Sequence, residues 1–125
     1  MARKSQRPTK QAATQSTKQA AGGAISRAAL KGEASPLLVR FNASIDVDKK
    51  LYRHDVRGSR AHARMLAKQG IIPAADQQAI DAGLAEVEET IAAGAMPWSL
   101  ELEDIHTHVE RALKKKVGAA AGRLH

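Results

Sequence analysis

Apolar side chains recur at helical spacing in three stretches of the chain, separated by glycine and proline. In the first, Leu51, Val56, Ala63 and Leu66 fall on or near one stripe with Asp55 and Ser59, and Asp48 stands where an N-cap belongs. Gly70 follows at the position of a helix stop. In the second, Pro73 leads into Ile80, Leu84, Val87 and Ile91 at 4-3-4 spacing, with Asp76 and Asp81 toward the positive end. Gly94 ends it and Pro97 prevents continuation. In the third, Asp104 precedes Ile105, Val109, Ala112, Leu113 and Val117, and Lys114, Lys115 and Lys116 complement the negative end before Gly118. The pattern predicts an all-α domain of about three helices over roughly 48–69, 74–93 and 104–117. No segment alternates at period two with β-branched residues.

Gly58 interrupts the first helix at a cost of about 1 kcal/mol against alanine, so a break there or a close backbone neighbour is expected. Residues 25–47 read as a transition, and Gly118 to His125 as a small-residue loop. Before Ile25 the chain has no Leu, Ile, Val, Phe or Trp, and nothing there can offset the entropy of ordering. Residues 1–40 are therefore expected to be a disordered, basic tail and linker, and 41–125 the helical domain.

Charge follows the same division. Residues 1–40 carry eight basic side chains against one acid, Glu33, whereas 41–125 carry 12 of each sign. The net charge of +7 thus belongs to the tail. Without aromatic stacking groups, any nucleic-acid contact by the tail rests on phosphates and is salt-sensitive. A binding module that uses the tail on nucleic acid or an acidic partner is the competing functional class. One Phe, one Tyr and one Trp imply an aliphatic, alanine-rich core. Cysteine is absent, which excludes disulfides and thiolate metal sites. No apolar run approaches the roughly 18–20 residues of a membrane span.

Titratable groups are densest between Leu102 and Glu110. His106 and His108 invite a metal reading, but on a helix they point about 200° apart and cannot share one ion. The pair His106 and Glu110 does converge, yet two ligands are too few for zinc. Helix geometry favours Asp104 as a cap and His106 with Glu110 as an exposed i,i+4 pair. Ser44, Asp46 and Asp48 lack the glycine turn and closing glutamate of a calcium loop. His54 and His62 fall at exposed positions, and Arg57, Arg60 and Arg64 form a basic stripe read as a solvated face or an interface. No glycine-rich phosphate loop or nucleophile elbow is present.

From Phe41 onward the sequence resembles the N-terminal domain of the argininosuccinate lyases, members of the fumarase/aspartase superfamily. The resemblance is carried by Phe41, Asn42, Ala43 and Ser44 with Asp48, then Leu51, Asp55, Gly58, Ser59, Ala61 and Leu66. It continues through Gly70, Ile71, Ile80, Gly83, Leu84, Gly94 and Trp98. It is strongest at Glu103, Asp104, Ile105 and His106, followed by Glu110, Arg111, Leu113, Gly118, Gly122, Leu124 and His125.

The resemblance implies a carbon–nitrogen lyase that cleaves argininosuccinate reversibly into arginine and fumarate by β-elimination, without metal or organic cofactor. It further implies a cytoplasmic homotetramer whose active sites draw on three subunits. Position by position, Ser44 matches the substrate-contacting serine, with Asp48 and Asn42 in the same loop as substrate-binding candidates. Asp104 and His106 match the family's Asp-Ile-His at the edge of the site, in a supporting role. No catalytic residue is assigned within this chain. The family continues beyond Leu-His with Thr-Gly-Arg-Ser-Arg-Asn-Asp-Gln, and the later segments bearing its principal acid and base also lie outside 1–125. The expectation is an N-terminal fragment that is inactive alone and oligomerises weakly or not at all. The family's early Trp-Gly-Gly-Arg-Phe motif has no counterpart here in register with Gly22, Gly23 and Arg27.

Overall fold

A computed structural model of the chain describes residues 35–125. The predicted disordered tail lies, up to residue 34, outside the described residues. Five α-helices are described: α1 Pro36–Asn42, α2 Ile45–Asp48, α3 Tyr52–Lys68, α4 Ala74–Ala92 and α5 Ile105–Val117. Short 3-10 turns cover Lys49–Leu51, Leu100–Leu102 and Gly118–Arg123. The three predicted helices are α3, α4 and α5, and no strand occurs among the described residues.

The expected stops at Gly70 and Gly94 are both Schellman turns. Gly70 adopts φ +70°, its N–H bonds to the Ala67 carbonyl, and the Ile71 N–H reaches the Leu66 carbonyl. Gly94, at φ +72°, repeats the pattern onto Ile91 and Thr90. Both glycines occupy the left-handed region that a Cβ disfavours, and the turn satisfies carbonyls that the helix end leaves over. The first of these turns sends the chain back, so that α4 packs along α3.

The stripes named from the sequence form the core. Val56, Ser59, Ala63 and Leu66 of α3 are buried against Ile80, Leu84, Val87 and Ile91 of α4 and Ile105, Val109 and Leu113 of α5. Each such aliphatic side chain contributes about 1.5–3 kcal/mol relative to exposure. Gly83 lets α5 approach α4 closely: a Cβ there would stand 2.8 Å from side-chain carbons of both Leu113 and Val117.

Several local expectations are corrected. Residues 36–42 are helical, with Ser35 Oγ accepting from the Leu38 N–H and Pro36 in the first turn. Leu51 is exposed, since the 3-10 turn Lys49–Leu51 precedes α3 and shifts it off the stripe. Helix α3 neither breaks at Gly58 nor meets a neighbour there. The small-residue segment after Gly118 folds back as a 3-10 turn that buries Ala121 and Leu124 in the core.

The basic stripe is only partly a solvated face. Arg60 donates twice to Asp81 of α4, at 2.9 and 2.7 Å, and Arg64 once, at 3.1 Å. This fork pins α3 to α4 and holds the Asp81 carboxyl below the usual carboxylate range. His54 and His62 are exposed, as expected.

Candidate functional site

Three segments distant in sequence meet where α5 begins. Between Leu102 and Asp104 the chain makes a tight turn, with the Asp104 N–H on the Leu102 carbonyl at 2.7 Å. Glu103 at its centre has φ 60° and ψ −61°, the strained, positive-φ form of the γ-turn. The turn aims the Glu103 carbonyl outward to accept the backbone N–H groups of both Ser44 and Ile45, at 2.9 Å each. Ile45 is buried immediately beneath, so the Ser44 loop is fastened to the start of α5 by main chain and by core.

Side chains complete the join. Ser44 Oγ donates to Asp48 Oδ2 at 2.6 Å, and Asp48 Oδ1 accepts from the Ile105 N–H at 3.2 Å. Asp104 caps α5 as expected, its Oδ1 accepting from the Thr107 N–H at 2.7 Å. Two carboxylates thus serve one helix start, where free N–H groups and the positive dipole end favour negative charge. Asp48 was expected to cap its own helix; it makes no such bond and caps α5 instead.

The histidines have different lots. His108 is buried, its Nδ1 at 2.7 Å from the Asp104 carbonyl and its Nε2 accepting from the Ser99 N–H at 3.0 Å. Both ring nitrogens are therefore occupied, with the proton on Nδ1. Trp98 lies edge-on to this ring, centroids 5.2 Å apart. His106 does not form the predicted pair with Glu110. Its Nδ1 lies 2.9 Å from Asp55 Oδ1 on α3. The reason is burial: the Asp55 side chain is only 17% exposed and needs a partner, whereas the exposed Glu110 is solvated by water. The His125 ring stands edge-on to His106 at 4.6 Å and stacks on His62 at 6.0 Å. His125 stays exposed, but partial desolvation, and then repulsion from His106 whenever that ring is protonated, push its imidazole below its ordinary value.

Of the residues singled out in the sequence, Ser44, Asp48, Asp104 and His106 lie around the start of α5, Ser44 bonded to Asp48, Asp104 to the Thr107 N–H and His106 to Asp55. Asn42 is exposed at the end of α1 and makes no side-chain hydrogen bond to another described residue. In the sequence Asp55 stands out only for its place on the stripe and in the resemblance. The signal for more was its chemistry, since an acid on a core-facing stripe requires a partner. Among the described residues, no group of three or more His, Asp or Glu side chains could hold a metal ion. The site as it stands is rich in hydrogen-bond acceptors and suits a ligand that presents N–H groups.

Comparison with known proteins supplies the family. A family model described as "Lyase" matches residues 28–125. The chain belongs to this lyase family. Curated relatives include the argininosuccinate lyase of Dechloromonas aromatica, 54% identical over 91 residues, covering 73% of this chain and 20% of that protein. The argininosuccinate lyase of Anaeromyxobacter sp. is 52% identical over 101 residues, covering 81% and 22%. That of Symbiobacterium thermophilum is 53% identical over 85 residues, covering 68% and 18%. The chain spans about a fifth of the length of these relatives. The resemblance read from Phe41 onward is borne out, and the family match begins earlier, at residue 28. Among the described residues no helix is long and apolar enough to cross a membrane.

Proposed function

We propose that this chain serves an argininosuccinate lyase, contributing one wall of a site in which argininosuccinate is cleaved to arginine and fumarate. The observation that carries this reading is the match to curated argininosuccinate lyases over most of the chain. β-Elimination removes a Cβ proton, delocalises charge into the neighbouring carboxylate and breaks the C–N bond to the guanidinium. Such chemistry needs a base, an acid and positioned donors around the carboxylate. The wall formed by Ser44, Asp48, Asp104 and His106 supplies acceptors, not cations, and so suits the arginine half of the substrate. Ser44 already donates to Asp48, which leaves its lone pairs for a substrate N–H. Asp48 offers negative charge to the guanidinium or ammonium group, and Asp104 and His106 frame the wall. Asn42 stands in the same loop as a further contact. In this reading the complete site is assembled in a cytoplasmic homotetramer without metal or organic cofactor.

Titration of isotope-labelled chain with arginine, argininosuccinate and fumarate, followed by amide and imidazole shifts, tests the assignment. Arginine and argininosuccinate are expected to move Ser44, Asp48 and His106 at millimolar concentration, on the order expected for one wall of a site. A response to fumarate alone at these residues would overturn it.

A further inference from the structure

We infer that Asp55 is a positioning residue for His106, fixing its imidazole as the Nδ1–H tautomer so that Nε2 is presented as a hydrogen-bond acceptor. Only the identity of what Nε2 meets rests on the lyase reading.

An ionised carboxylate accepts and cannot donate, so at 2.9 Å from Asp55 Oδ1 the His106 Nδ1 must carry the proton. Asp55 has little freedom to turn away. It lies on α3 beside the buried Val56, its side chain is 17% exposed, and its Oδ2 is buried with no hydrogen-bond partner. The imidazole is confined as well, because His106 sits in the first turn of the capped helix α5 with the His125 ring edge-on at 4.6 Å. Among the described residues no group bonds to Nε2, and the His106 side chain remains 44% exposed, enough for a ligand to reach it.

His108 provides the contrast within the same helix. It holds the same tautomer, but its Nε2 is consumed by the Ser99 N–H and its ring is buried. Of the two histidines, His106 alone combines a fixed Nδ1–H with an uncommitted acceptor. A simple exposed pair would leave the ring free to rotate and to exchange tautomers. The largely buried Asp55 carboxylate on one side and His125 on the other oppose that. The matching ligand group is an N–H donor, which in the lyase reading is the ammonium or guanidinium of the arginine half.

Long-range proton–nitrogen correlation spectra of the full chain, taken above the histidine titration range, decide the matter. His106 is expected as Nδ1–H in the parent and in Asp55→Asn, whose amide oxygen still accepts. In Asp55→Ala it is expected to revert to the Nε2–H form that a free imidazole prefers, with backbone amide shifts otherwise preserved. An Nε2–H His106 in the parent overturns the assignment, and this holds even if the alanine variant fails to fold. Retention of Nδ1–H in a folded Asp55→Ala overturns it too. Addition of argininosuccinate separates the two readings. A shift at His106 Nε2 supports the recognition role. No shift at a correctly fixed Nε2 refutes the lyase assignment of this wall and leaves the tautomer assignment intact.

Discussion

The carbonyl of Glu103 accepts the backbone N–H of Ser44 at 2.9 Å, across 59 positions of sequence, while Glu103 itself is held at φ 60°. A glutamate in that conformation is strained, and a β-branched side chain would be more so. Glu103→Val is expected to destabilise the domain by about 1–2 kcal/mol. Urea unfolding of parent and variant measures it, and an unchanged midpoint would show that the turn has an unstrained alternative.

The second expectation concerns the contact between α4 and α5. Gly83→Ala places a methyl 2.8 Å from Leu113 and Val117 carbons. Despite alanine's better helix propensity, the variant is expected to lose about 1–3 kcal/mol by overpacking. A gain in melting temperature would mean that both side chains give way freely.

The caps of α5 are separable. Asp104→Ala removes the bond to the Thr107 N–H and is expected to cost about 1 kcal/mol, with Asp104→Asn close to neutral. Asp48→Ala removes the bond to Ile105 and frees the Ser44 hydroxyl. It should loosen the Ser44 loop more than α5, which amide exchange at Ser44 and His106 distinguishes.

Acid sensitivity has two sources with different windows. The hydrogen bond from Arg60 lowers the Asp81 pKa below 3.8, so its contribution is intact above that value and is lost as pH falls through the folded value. Partial desolvation of the exposed His125 ring lowers its pKa below 6.5. The unfolded chain then binds that proton more readily, and stability from this group falls as pH drops from 6.5 through the folded value. His125→Gln is expected to flatten the stability profile just below about pH 7 while leaving the limb set by Asp81 unchanged. Arg60→Gln should shrink only the acidic limb. Urea midpoints across pH for the three proteins check both assignments, and a parallel loss in both limbs for either variant contradicts them.

The helices of the bundle were legible because their signals are local. The 4-3-4 spacing of Ile80, Leu84, Val87 and Ile91, and the glycines after α3 and α4, act within one or two turns of themselves. Ser35 followed by Pro36 is an equally local signal for α1, but the apolar residues that accompany it, Leu37 and Phe41 among them, are not buried against the core. Every residue of α1 is less than fully buried, and Leu37 and Phe41 are largely exposed. The candidate residues Ser44, Asp48, Asp104 and His106 could be picked out in the sequence one by one, but their bonds could not. Asp55 reaches His106 across 51 positions and Asp48 reaches the Ile105 amide across 57. No local pattern encodes such pairs, and the apparent helical neighbour, Glu110, lost to a carboxylate that had less water.

The shared carbonyl at Glu103 also sets how this region moves. Two amides from one loop depend on a single acceptor, and that acceptor exists only while the turn ahead of α5 stays closed. Breathing at either end therefore releases the other, and the Ser44 loop and the first turn of α5 should open as a single cooperative unit. Equal exchange free energies for the Ser44 and Ile45 amides are its signature. A ligand that closes on one half would thereby rigidify the half it never touches.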